Sequence, residues 1–428
     1  MARKPFASSQ PTHNSASQRE AHLLLIGASY RTCSLEDRDR LQRKSRHIVV
    51  PTSSDHHAPW SDVVLLATCN RVEVYVLTKS PNLVSHRMRK SLGVSSNDQS
   101  LYVLDAEDAA AHLIRVASGL DSVAEGEQQV TEQVRNAPKQ LPSRSADERP
   151  LEDLFLRAAK IAPRVRRLAG VRPEDASASH AAIRFLQAAV PVENPTVALI
   201  GTGKMARIAA QALRGRARVE ILNRDVARAR QLAKILNGEA VPLRKLSQVL
   251  AEADVVVAAT ASQAPLVTAR GLRAAMHRRD GRPIWLIDLG FPRNVDPTCR
   301  SLAGVHLLDL DGLAPWGRFS SSPTAQARVE ARIREEAERM VESLRPTASA
   351  DVASFRKTAE ALRRQEVAEA LGRLPELSKE GQTVVDRLAT RLVNRLLHAP
   401  TRHLYALPEG RRKELIREMV SGLQGGSG

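Results

Sequence analysis

Apolar runs and stretches of helical spacing alternate in the first third of the chain. The runs with the length and the β-branched content of strands are 22–27, 62–67 and 72–78. Residues 107–119 and 151–168 instead repeat their apolar positions at the period of one helix face. The pattern predicts an α+β domain over residues 21–165. It also predicts a long helical segment from about 150 to about 190, which includes a linker at 166–192.

The middle of the chain changes to strands that are apolar throughout. These runs, separated by helical stretches, are PTVALIG, ARVEILN, DVVVAAT and PIWLIDL. Strands of this kind are buried on both faces, and their alternation with helices is typical of a parallel, doubly wound sheet. We therefore predict an α/β domain over residues 193–315.

A glycine-rich turn joins the first of these strands to the following helix. Its sequence matches G-x-G-x-x-A, with residues Gly201, Thr202, Gly203, Lys204, Met205 and Ala206. The first glycine permits the tight turn, the second admits a pyrophosphate to the backbone, and the alanine allows close packing of the helix. The helix N-terminus adds free N–H groups that bind phosphate. The turn predicts a Rossmann-type dinucleotide site, and the alternative is a similar turn in a fold that binds no cofactor.

The end of the second strand indicates which dinucleotide is favoured. NAD sites place an acidic residue there for the ribose 2′-hydroxyl. Here the strand ends in Asn223 and is followed by Arg224, which suits the 2′-phosphate of NADP. We predict NADPH, while the neighbouring Asp225 keeps NAD as the alternative. Residues 260–262 and 291–294, which follow later strands, are candidates for the nicotinamide pocket.

The last part of the chain, 316–428, has no strand pattern. The apolar residues of its two helical stripes are Val329, Ile333, Met340, Val341 and Leu344, and Val385, Leu388, Leu392 and Leu396. The opposite faces are rich in Arg and Glu, so that neither helix can bury its stripe alone. The pattern predicts a helical dimerisation domain, and the alternative is a bundle within one chain.

Charge and cysteine usage narrow the class of protein. The 428 residues carry a formal net charge of +17, which is compatible with tRNA as a partner. A GC-rich genome that favours Arg is the alternative explanation. The three cysteines are widely spaced and form neither a disulfide framework nor a zinc pattern. We predict a protein of the reducing cytoplasm without a bound metal.

The sequence predicts neither a membrane span nor ordered structure in the first 20 residues. No apolar run approaches the roughly 18 residues of a membrane span, so we predict no membrane partner. Residues 1–20 are rich in Ser, basic and almost free of acidic residues. We predict a disordered tail there, with a targeting peptide as the alternative.

One cysteine stands in a setting that suits a nucleophile. Cys69 follows a buried strand and is flanked by Thr68, Asn70 and Arg71. A cation two residues away favours the thiolate, which is the form that attacks an ester. The alternative is a cysteine packed beneath a hairpin. His112, on a predicted helix, is a second candidate, although a lone histidine there also suits a satisfied core position.

Several longer segments resemble the glutamyl-tRNA reductase family. TCNRVEVY is similar to the family's segment with the nucleophilic cysteine, and HLIRVASGLDSVAEGEQQVTEQV is similar to its highly specific second segment. GTGKMA, LNRD, ATAS and DLGFPRNVDP resemble the NADPH-domain signatures, and NRLLHAPTRHL resembles the C-terminal segment. The resemblance covers about residues 22–405, with the motifs in the family's order.

The resemblance implies a two-step reaction. Cys69 attacks the ester that joins glutamate to tRNA(Glu), and NADPH reduces the resulting thioester to glutamate-1-semialdehyde, on the C5 route to 5-aminolevulinate and tetrapyrroles. His112 matches a histidine of the family that matters for activity. The glutamate contacts implied by the resemblance are Thr68, Asn70, Arg71, Ser122, Glu127, Gln128, Gln129 and Gln133.

The resemblance also implies an architecture. A catalytic domain (21–165) and an NADPH-binding domain (193–315) are held apart by a long spinal helix that starts at 166–192. Residues 316–428 form the dimerisation domain of a V-shaped homodimer with tRNA between its arms. The next enzyme, a glutamate-1-semialdehyde aminomutase, is the further candidate partner.

Some positions depart from the family pattern. Residues 28–33 lack the usual Asn-His pair, Gln128 replaces a more usual Pro, and Pro163 interrupts a predicted helix. Two other hypotheses therefore stay open. An NADP-dependent dehydrogenase of small hydroxy acids, similar to shikimate dehydrogenase, would leave residues 68–71 unused. A non-catalytic tRNA-binding paralogue would follow from the altered 28–33 segment.

Overall fold

The computed structural model describes most of the chain. The described ranges are 22–45, 59–95, 98–140, 149–171, 177–318, 322–344, 346–374, 377–405, 407 and 409–425. The tail predicted at 1–20 lies outside them. Within these ranges, no helix combines the length and the apolar composition that crossing a membrane requires.

The first domain contains a four-stranded antiparallel sheet. Its strands are β1 (His22–Ser29), β2 (Asp62–Ala67), β3 (Arg71–Thr78) and β4 (Tyr102–Asp105), in the order β2-β3-β1-β4. The predictions of the first three strands are confirmed. The sequence pattern misses β4, because it is a four-residue edge strand with only alternate positions partly buried.

Helices cover both faces of this sheet. The helices are α1 (Leu35–Ser45) and α2 (Pro81–Leu92) on one face, and α3 (Ala106–Ala117), α4 (Gln129–Asn136) and α5 (Pro150–Leu168) on the other. Every residue of β3 is consequently buried. Polar side chains on β3 are shielded from water and have to pair within the protein.

The second domain is a six-stranded parallel sheet with helices on both faces. The strands are β5 (Thr196–Ile200), β6 (Arg218–Asn223), β7 (Glu239–Pro242), β8 (Val255–Ala258), β9 (Ile284–Asp288) and β10 (Val305–Asp309), in the order β10-β9-β8-β5-β6-β7. The helices are α6 (Ala178–Ala189), α7 (Lys204–Leu213), α8 (Val226–Leu236), α9 (Leu246–Glu252) and α10 (Ala269–Met276). The predicted doubly wound sheet and its four apolar strands are confirmed. The two strands that were not predicted, β7 and β10, lie at the edges and are less apolar.

The helix predicted to run from about 150 to about 190 is two helices, so this prediction was wrong. The first, α5, ends at Leu168, and Gly170 adopts the left-handed region with φ 72°. The Gly170 N–H donates to the Arg167 carbonyl at 3.1 Å, which closes the last turn and stops the helix. Helix α5 belongs to the core of the first domain, whereas α6 packs in the second. Pro163 lies inside α5, which continues past it.

Four helices form the last part of the chain: α11 (Pro323–Glu342), α12 (Pro346–Gly372), α13 (Lys379–Tyr405) and α14 (Glu409–Gly425). The first stripe predicted there is buried, since Val329, Ile333 and Met340 of α11 pack into the core of the first domain. The second stripe lies on α13 and is open to solvent, with Leu392 52% and Leu396 72% exposed. The stripe on α11 therefore belongs to the core of this chain, whereas the stripe on α13 is left uncovered by the described residues.

Candidate active site

The candidate nucleophile lies in the tight loop between two adjacent strands. Thr68, Cys69 and Asn70 connect β2 to β3, and the Thr68 N–H donates to the Arg71 carbonyl at 2.8 Å. The Thr68 hydroxyl accepts from the Asn70 N–H at 3.1 Å. Thr68 and Asn70 are buried and Cys69 is half-buried, so the loop holds its thiol at the end of the sheet rather than in free solvent.

The surroundings of Cys69 favour the neutral thiol. Burial is the main cause that raises the pKa of Cys69 to about 12, and the Glu127 carboxylate acts in the same direction. Arg38 and Arg71 lower this pKa, but their effects are smaller. The activation of the thiol that was expected from Arg71 is therefore outweighed.

Arg71 is occupied by carboxylates, which explains its small effect on the thiol. Its side chain is fully buried, and Nη1 donates to Glu73 Oε1 at 2.9 Å and to Asp121 Oδ2 at 3.0 Å. Glu73 is fully buried as well. The hydroxyls that also donate to Glu73 are those of Tyr75, at 2.8 Å, and Tyr102, at 2.6 Å.

His112 completes this group, whose members Arg71, Glu73, His112 and Asp121 we call the Glu73 cluster. The His112 Nε2 atom lies 2.8 Å from Glu73 Oε1. Burial disfavours the charged form of Glu73, but His112 and Arg71 outweigh it and hold the pKa of this carboxyl below its ordinary value. His112 and Arg71 therefore both contact the Glu73 carboxylate. Within the described ranges, no hydrogen bond joins Cys69 and His112 directly.

The sequence analysis missed Glu73 and Asp121. Glu73 is a charged residue inside the otherwise apolar strand β3, and such residues are almost never buried unless they are paired. A charged residue inside an apolar strand could therefore have predicted a buried ion pair at Glu73. No local pattern relates Asp121 to Arg71, because the two residues are 50 positions apart.

Two polar atoms beside the Glu73 cluster have no partner among the described residues. Arg71 Nε and Ser122 Oγ are both buried and make no hydrogen bond there. Buried polar groups are nearly always paired, so these two atoms indicate where a polar group of a ligand could bind. Both belong to residues predicted to contact glutamate.

The segment that departs from the family pattern supports this loop. The Tyr30 hydroxyl donates to the Ser122 carbonyl at 3.3 Å, and Arg31 Nε donates to Asp121 Oδ1 at 2.6 Å. Burial raises the pKa of Tyr30 to about 12, so its hydroxyl remains a donor at neutral pH. The altered residues at 28–33 therefore hold the 121–122 loop in place.

The other predicted glutamate contacts lie along the segment that leads into α4. Glu127 and Gln129 are partly buried, whereas Gln128 is exposed. The Gln129 side-chain amide lies 3.7 Å from the sulfur of Met205. Gln133 lines a cavity of about 220 Å³ together with Ala67 and other residues. Glu127 and Gln129 thus face the dinucleotide turn, and Gln133 lies beside the end of β2.

The dinucleotide turn has the geometry that its motif predicts. Gly201 adopts φ 117°, and a Cβ there would lie 2.4 Å from the Ala259 carbonyl oxygen, so only glycine fits. A Cβ at Gly203 would meet nothing within 4 Å, which leaves this side open to a pyrophosphate. Ala206 is fully buried at the contact between helix and sheet. Lys204 and Met205 form the first turn of α7.

Residues at the carboxyl ends of β6, β8 and β9 lie at the same edge of the sheet as the dinucleotide turn. Asn223 Nδ2 donates to the Thr202 hydroxyl at 2.6 Å, and Arg224 beside it is exposed. Asn294, in the segment 291–294, is fully buried and joins this segment to 260–262, the other segment predicted near the nicotinamide. Its Oδ1 accepts from the Thr260 N–H at 2.7 Å and from the Thr260 hydroxyl at 3.0 Å. The residues present fit a nicotinamide dinucleotide.

The two candidate sites share one apolar cluster. Cys69 and Tyr30 of the first domain and Met205 and Phe291 of the second pack against the same buried core. The Glu125 N–H also donates at 2.9 Å to the carbonyl of Gly317, which ends the 3-10 helix Asp311–Gly317 that follows β10. The expectation that the two domains are held apart is therefore wrong for this structure, because residues of both domains pack against one buried apolar cluster.

Three family models match the chain. The model described as glutamyl-tRNAGlu reductase, N-terminal domain, matches residues 26–168. The model described as shikimate / quinate 5-dehydrogenase matches 185–315, and the glutamyl-tRNAGlu reductase dimerisation domain matches 328–423. The three matches follow the three regions of the fold.

Relatives that match over nearly their whole length are glutamyl-tRNA reductases. The glutamyl-tRNA reductase of Myxococcus xanthus is 32% identical and covers 92% of this chain and 91% of its own. Glutamyl-tRNA reductase 2 of Anaeromyxobacter dehalogenans is 32% identical, with 90% and 88% covered. A solved glutamyl-tRNA reductase from Methanopyrus kandleri is 27% identical, with 94% and 98% covered and a TM-score of 0.36. On the identity and coverage of these sequence relatives, the chain belongs to the glutamyl-tRNA reductase family of oxidoreductases.

Proposed function

We propose that this chain reduces the glutamate of glutamyl-tRNA(Glu) to glutamate-1-semialdehyde with NADPH, through a thioester on Cys69. The product leads to 5-aminolevulinate and tetrapyrroles. The observation that carries the proposal is that Cys69 and Met205 of the dinucleotide turn pack against one apolar cluster. A thioester formed at Cys69 would stand near the cofactor, as acyl transfer followed by reduction requires.

Glu127 is suited to take the proton from the Cys69 thiol. Burial raises the pKa of Glu127 to about 7, although Lys204 and Arg71 lower it. The carboxylate is also close enough to raise the pKa of Cys69. A base with a pKa near the working pH can accept a proton and return it within one reaction cycle.

In the first step, the Cys69 thiol loses its proton to Glu127 and the thiolate attacks the ester carbonyl. A carbon–sulfur bond forms, and the bond between that carbon and the ribose oxygen of the tRNA breaks. The proton held by Glu127 passes to the leaving ribose oxygen. When bound, NADPH supplies the hydride that converts the thioester to the aldehyde, and the Cys69 thiolate is released.

The glutamyl side-chain carboxylate would bind beside the Glu73 cluster. Arg71 Nε and the Ser122 hydroxyl are buried donors without a partner among the described residues, and both can donate to a carboxylate. The cluster in turn keeps the Arg71 guanidinium in position. The other contacts that we propose are Thr68, Asn70, Gln128, Gln129 and Gln133, with His112 acting through Glu73.

The cofactor that we propose for the second domain is NADPH. The residues that would hold it are Gly201, Thr202, Gly203, Lys204, Met205, Ala206, Asn223 and Arg224. The open side of Gly203 and the N-terminus of α7 suit the pyrophosphate. The exposed Arg224 suits a 2′-phosphate, which separates NADPH from NADH.

The C-terminal helices would join two copies of the chain. The exposed large apolar residues of α13 recur at every fourth position: Val384, Leu388, Leu392 and Leu396. A row of this kind at helical spacing is typical of a helix that packs against a partner helix. A direct transfer of the aldehyde to a glutamate-1-semialdehyde aminomutase stays a prediction, as does the cytoplasmic location.

The test is a single-turnover reaction with glutamyl-tRNA carrying radiolabelled glutamate, with and without NADPH. We expect label on the protein without NADPH and labelled aldehyde with it. The variant Cys69→Ser should lose both, because a serine hydroxyl there has no comparable nucleophilicity. Cys33→Ser is the matched control, since Cys33 is also half-buried but lies outside the loop.

The opposite results are equally definite. Label that stays on a bound tRNA would identify a binding or regulatory paralogue. Transfer that survives in Cys69→Ser would place the nucleophile elsewhere.

A further inference from the structure

Arg38, on helix α1, is a fully buried cation that reaches both domains. In the first domain, its Nε donates to the Cys69 carbonyl at 3.0 Å and its Nη1 donates to the Cys33 carbonyl at 2.8 Å. In the second domain, its Nη2 donates to Asp311 Oδ1 at 2.5 Å. One guanidinium therefore connects the backbone of the nucleophile loop to the dinucleotide-binding domain.

A second ion pair joins the same two surfaces. Arg293 Nη2 lies 2.8 Å from Glu36 on α1, and its Nη1 donates to Asp309 at 2.8 Å. Asp309 ends β10, and Asp311 opens the short 3-10 helix that follows it. The first turn of α1 is therefore bound at two points to the carboxyl end of β10.

The contacts that Arg38 makes in the two domains differ in kind. The two carbonyl contacts lie within the first domain, so they would be kept if the two domains separated. The only carboxylate that Arg38 contacts among the described residues is Asp311. A buried charge without a counterion is strongly unfavourable, so separation of the domains would leave Arg38 in an unfavourable state.

We propose that Arg38 is a positioning residue that couples the place of the Cys69 loop to contact between the two domains, with Asp311 as its anchor. While Asp311 holds the guanidinium, the loop stays against the dinucleotide domain. When the anchor is lost, the loop is released and the thiol becomes more accessible. The effect on catalysis rests on the proposed function, whereas the link itself does not.

The charges around the Cys69 thiol also indicate that loss of Asp311 would make the thiol more reactive. Arg38 lowers the pKa of Cys69 more than Arg71 does, although burial and Glu127 prevail. Without Asp311, the positive charge of Arg38 would lose the carboxylate that it contacts. Loss of the anchor is therefore expected to increase both the exposure and the thiolate fraction of Cys69.

The test measures alkylation of Cys69 by iodoacetamide in the full chain, with peptide mass spectrometry to separate Cys69 from the other two cysteines. We expect Asp311→Asn to react about tenfold faster than the natural chain, which corresponds to the loss of one charged hydrogen bond. Asp37→Asn is the matched control, because Asp37 lies beside Arg38 on α1 but pairs with the exposed Arg40. It should react at the natural rate.

A second variant covers a failure of Asp311→Asn to fold, which circular dichroism would reveal. Arg38→Lys keeps the cation but loses the planar fork that reaches two carbonyls and a carboxylate together. It should also speed alkylation. The proposal would be overturned if whichever of Asp311→Asn and Arg38→Lys folds were alkylated at the same rate as Asp37→Asn.

The catalytic consequence has a separate measurement. With the label already on Cys69, Asp311→Asn should slow the NADPH-dependent release of aldehyde, whereas formation of the thioester should not be slowed. Equal slowing of the two steps would contradict the coupling. Alkylation needs neither tRNA nor NADPH. The alkylation rates would therefore show whether Arg38 links the two domains even if the chain proved not to be a reductase.

Discussion

The thiol site and the dinucleotide site are built in opposite ways. Around Cys69, the chemistry depends on buried side chains that neutralise one another, as Arg71 and Glu73 do. At the dinucleotide turn, it depends on backbone conformation and open space, as at Gly201 and Gly203. The first arrangement would fix a small substrate group tightly. The second leaves room for a large ligand to enter and leave.

This difference predicts different responses to substitution. A buried ion pair stabilises little in itself, but removal of one partner leaves an uncompensated charge. Changes in the thiol site should therefore affect both folding and chemistry. Changes at an exposed dinucleotide contact should affect only the affinity for the cofactor.

The largest expected effect follows from Glu73→Gln. The neutral amide leaves buried Arg71 with a weaker partner, and we expect the free energy of unfolding to fall by about 3–5 kcal/mol. Glu107→Gln on the exposed face of α3 is the control and should change little. Urea denaturation measures both, and equal stability of the two variants would contradict the importance of the cluster.

The pH dependence of this effect has a definite sign. The folded state holds the pKa of Glu73 below its ordinary value of 4.5, so its charged form stabilises the fold at neutral pH. That stabilisation is lost as the pH falls below the ordinary value toward the folded one. The stability difference between the natural chain and Glu73→Gln should therefore shrink in acid.

The sequence predicted the dinucleotide site more completely than the thiol site. The turn from Gly201 to Ala206 is local, and each residue type follows from a backbone requirement that one short segment expresses. Thr68 to Arg71 was also recognised as a unit. The partners of Arg71 were not, because Glu73 needs the packing of both sheet faces and Asp121 arrives from 50 residues away.

The same limit applies to the fold. Apolar strands such as β5 and β8 were predicted because burial on both faces leaves a continuous pattern. The edge strands β4, β7 and β10 are short or partly exposed and leave none. The stripe on α11 was recognised, but a stripe alone does not say which surface will cover it.

The second expected effect concerns Glu127→Gln, which removes the base but keeps the shape. We expect the rate of label transfer to Cys69 to fall by about a hundredfold or more. In the natural chain, the rate should rise with pH through about 7, because Glu127 accepts a proton only when it is ionised. The variant should lose this rise.

A rapid-quench pH series measures the effect. The control is Glu132→Gln, an exposed residue of α4 that pairs with Arg135. An unchanged rise near pH 7 in Glu127→Gln would assign the base to another group.

The smallest expected effect belongs to the dinucleotide site. Arg224 is exposed, so that its contact with a 2′-phosphate is screened by water. We expect Arg224→Gln to raise the KM for NADPH by about three- to tenfold and to leave the KM for NADH unchanged. Stability should stay the same, in contrast to Glu73→Gln.

Arg228→Gln is the matched control for this last variant, because Arg228 is exposed on the first turn of α8 and is paired with Asp225. Steady-state kinetics with both cofactors distinguishes the outcomes. An equal loss for NADPH and NADH in Arg224→Gln would mean that Arg224 does not recognise the 2′-phosphate. Asp225, which kept NAD as the alternative in the sequence, would then be the next candidate for contact with the ribose.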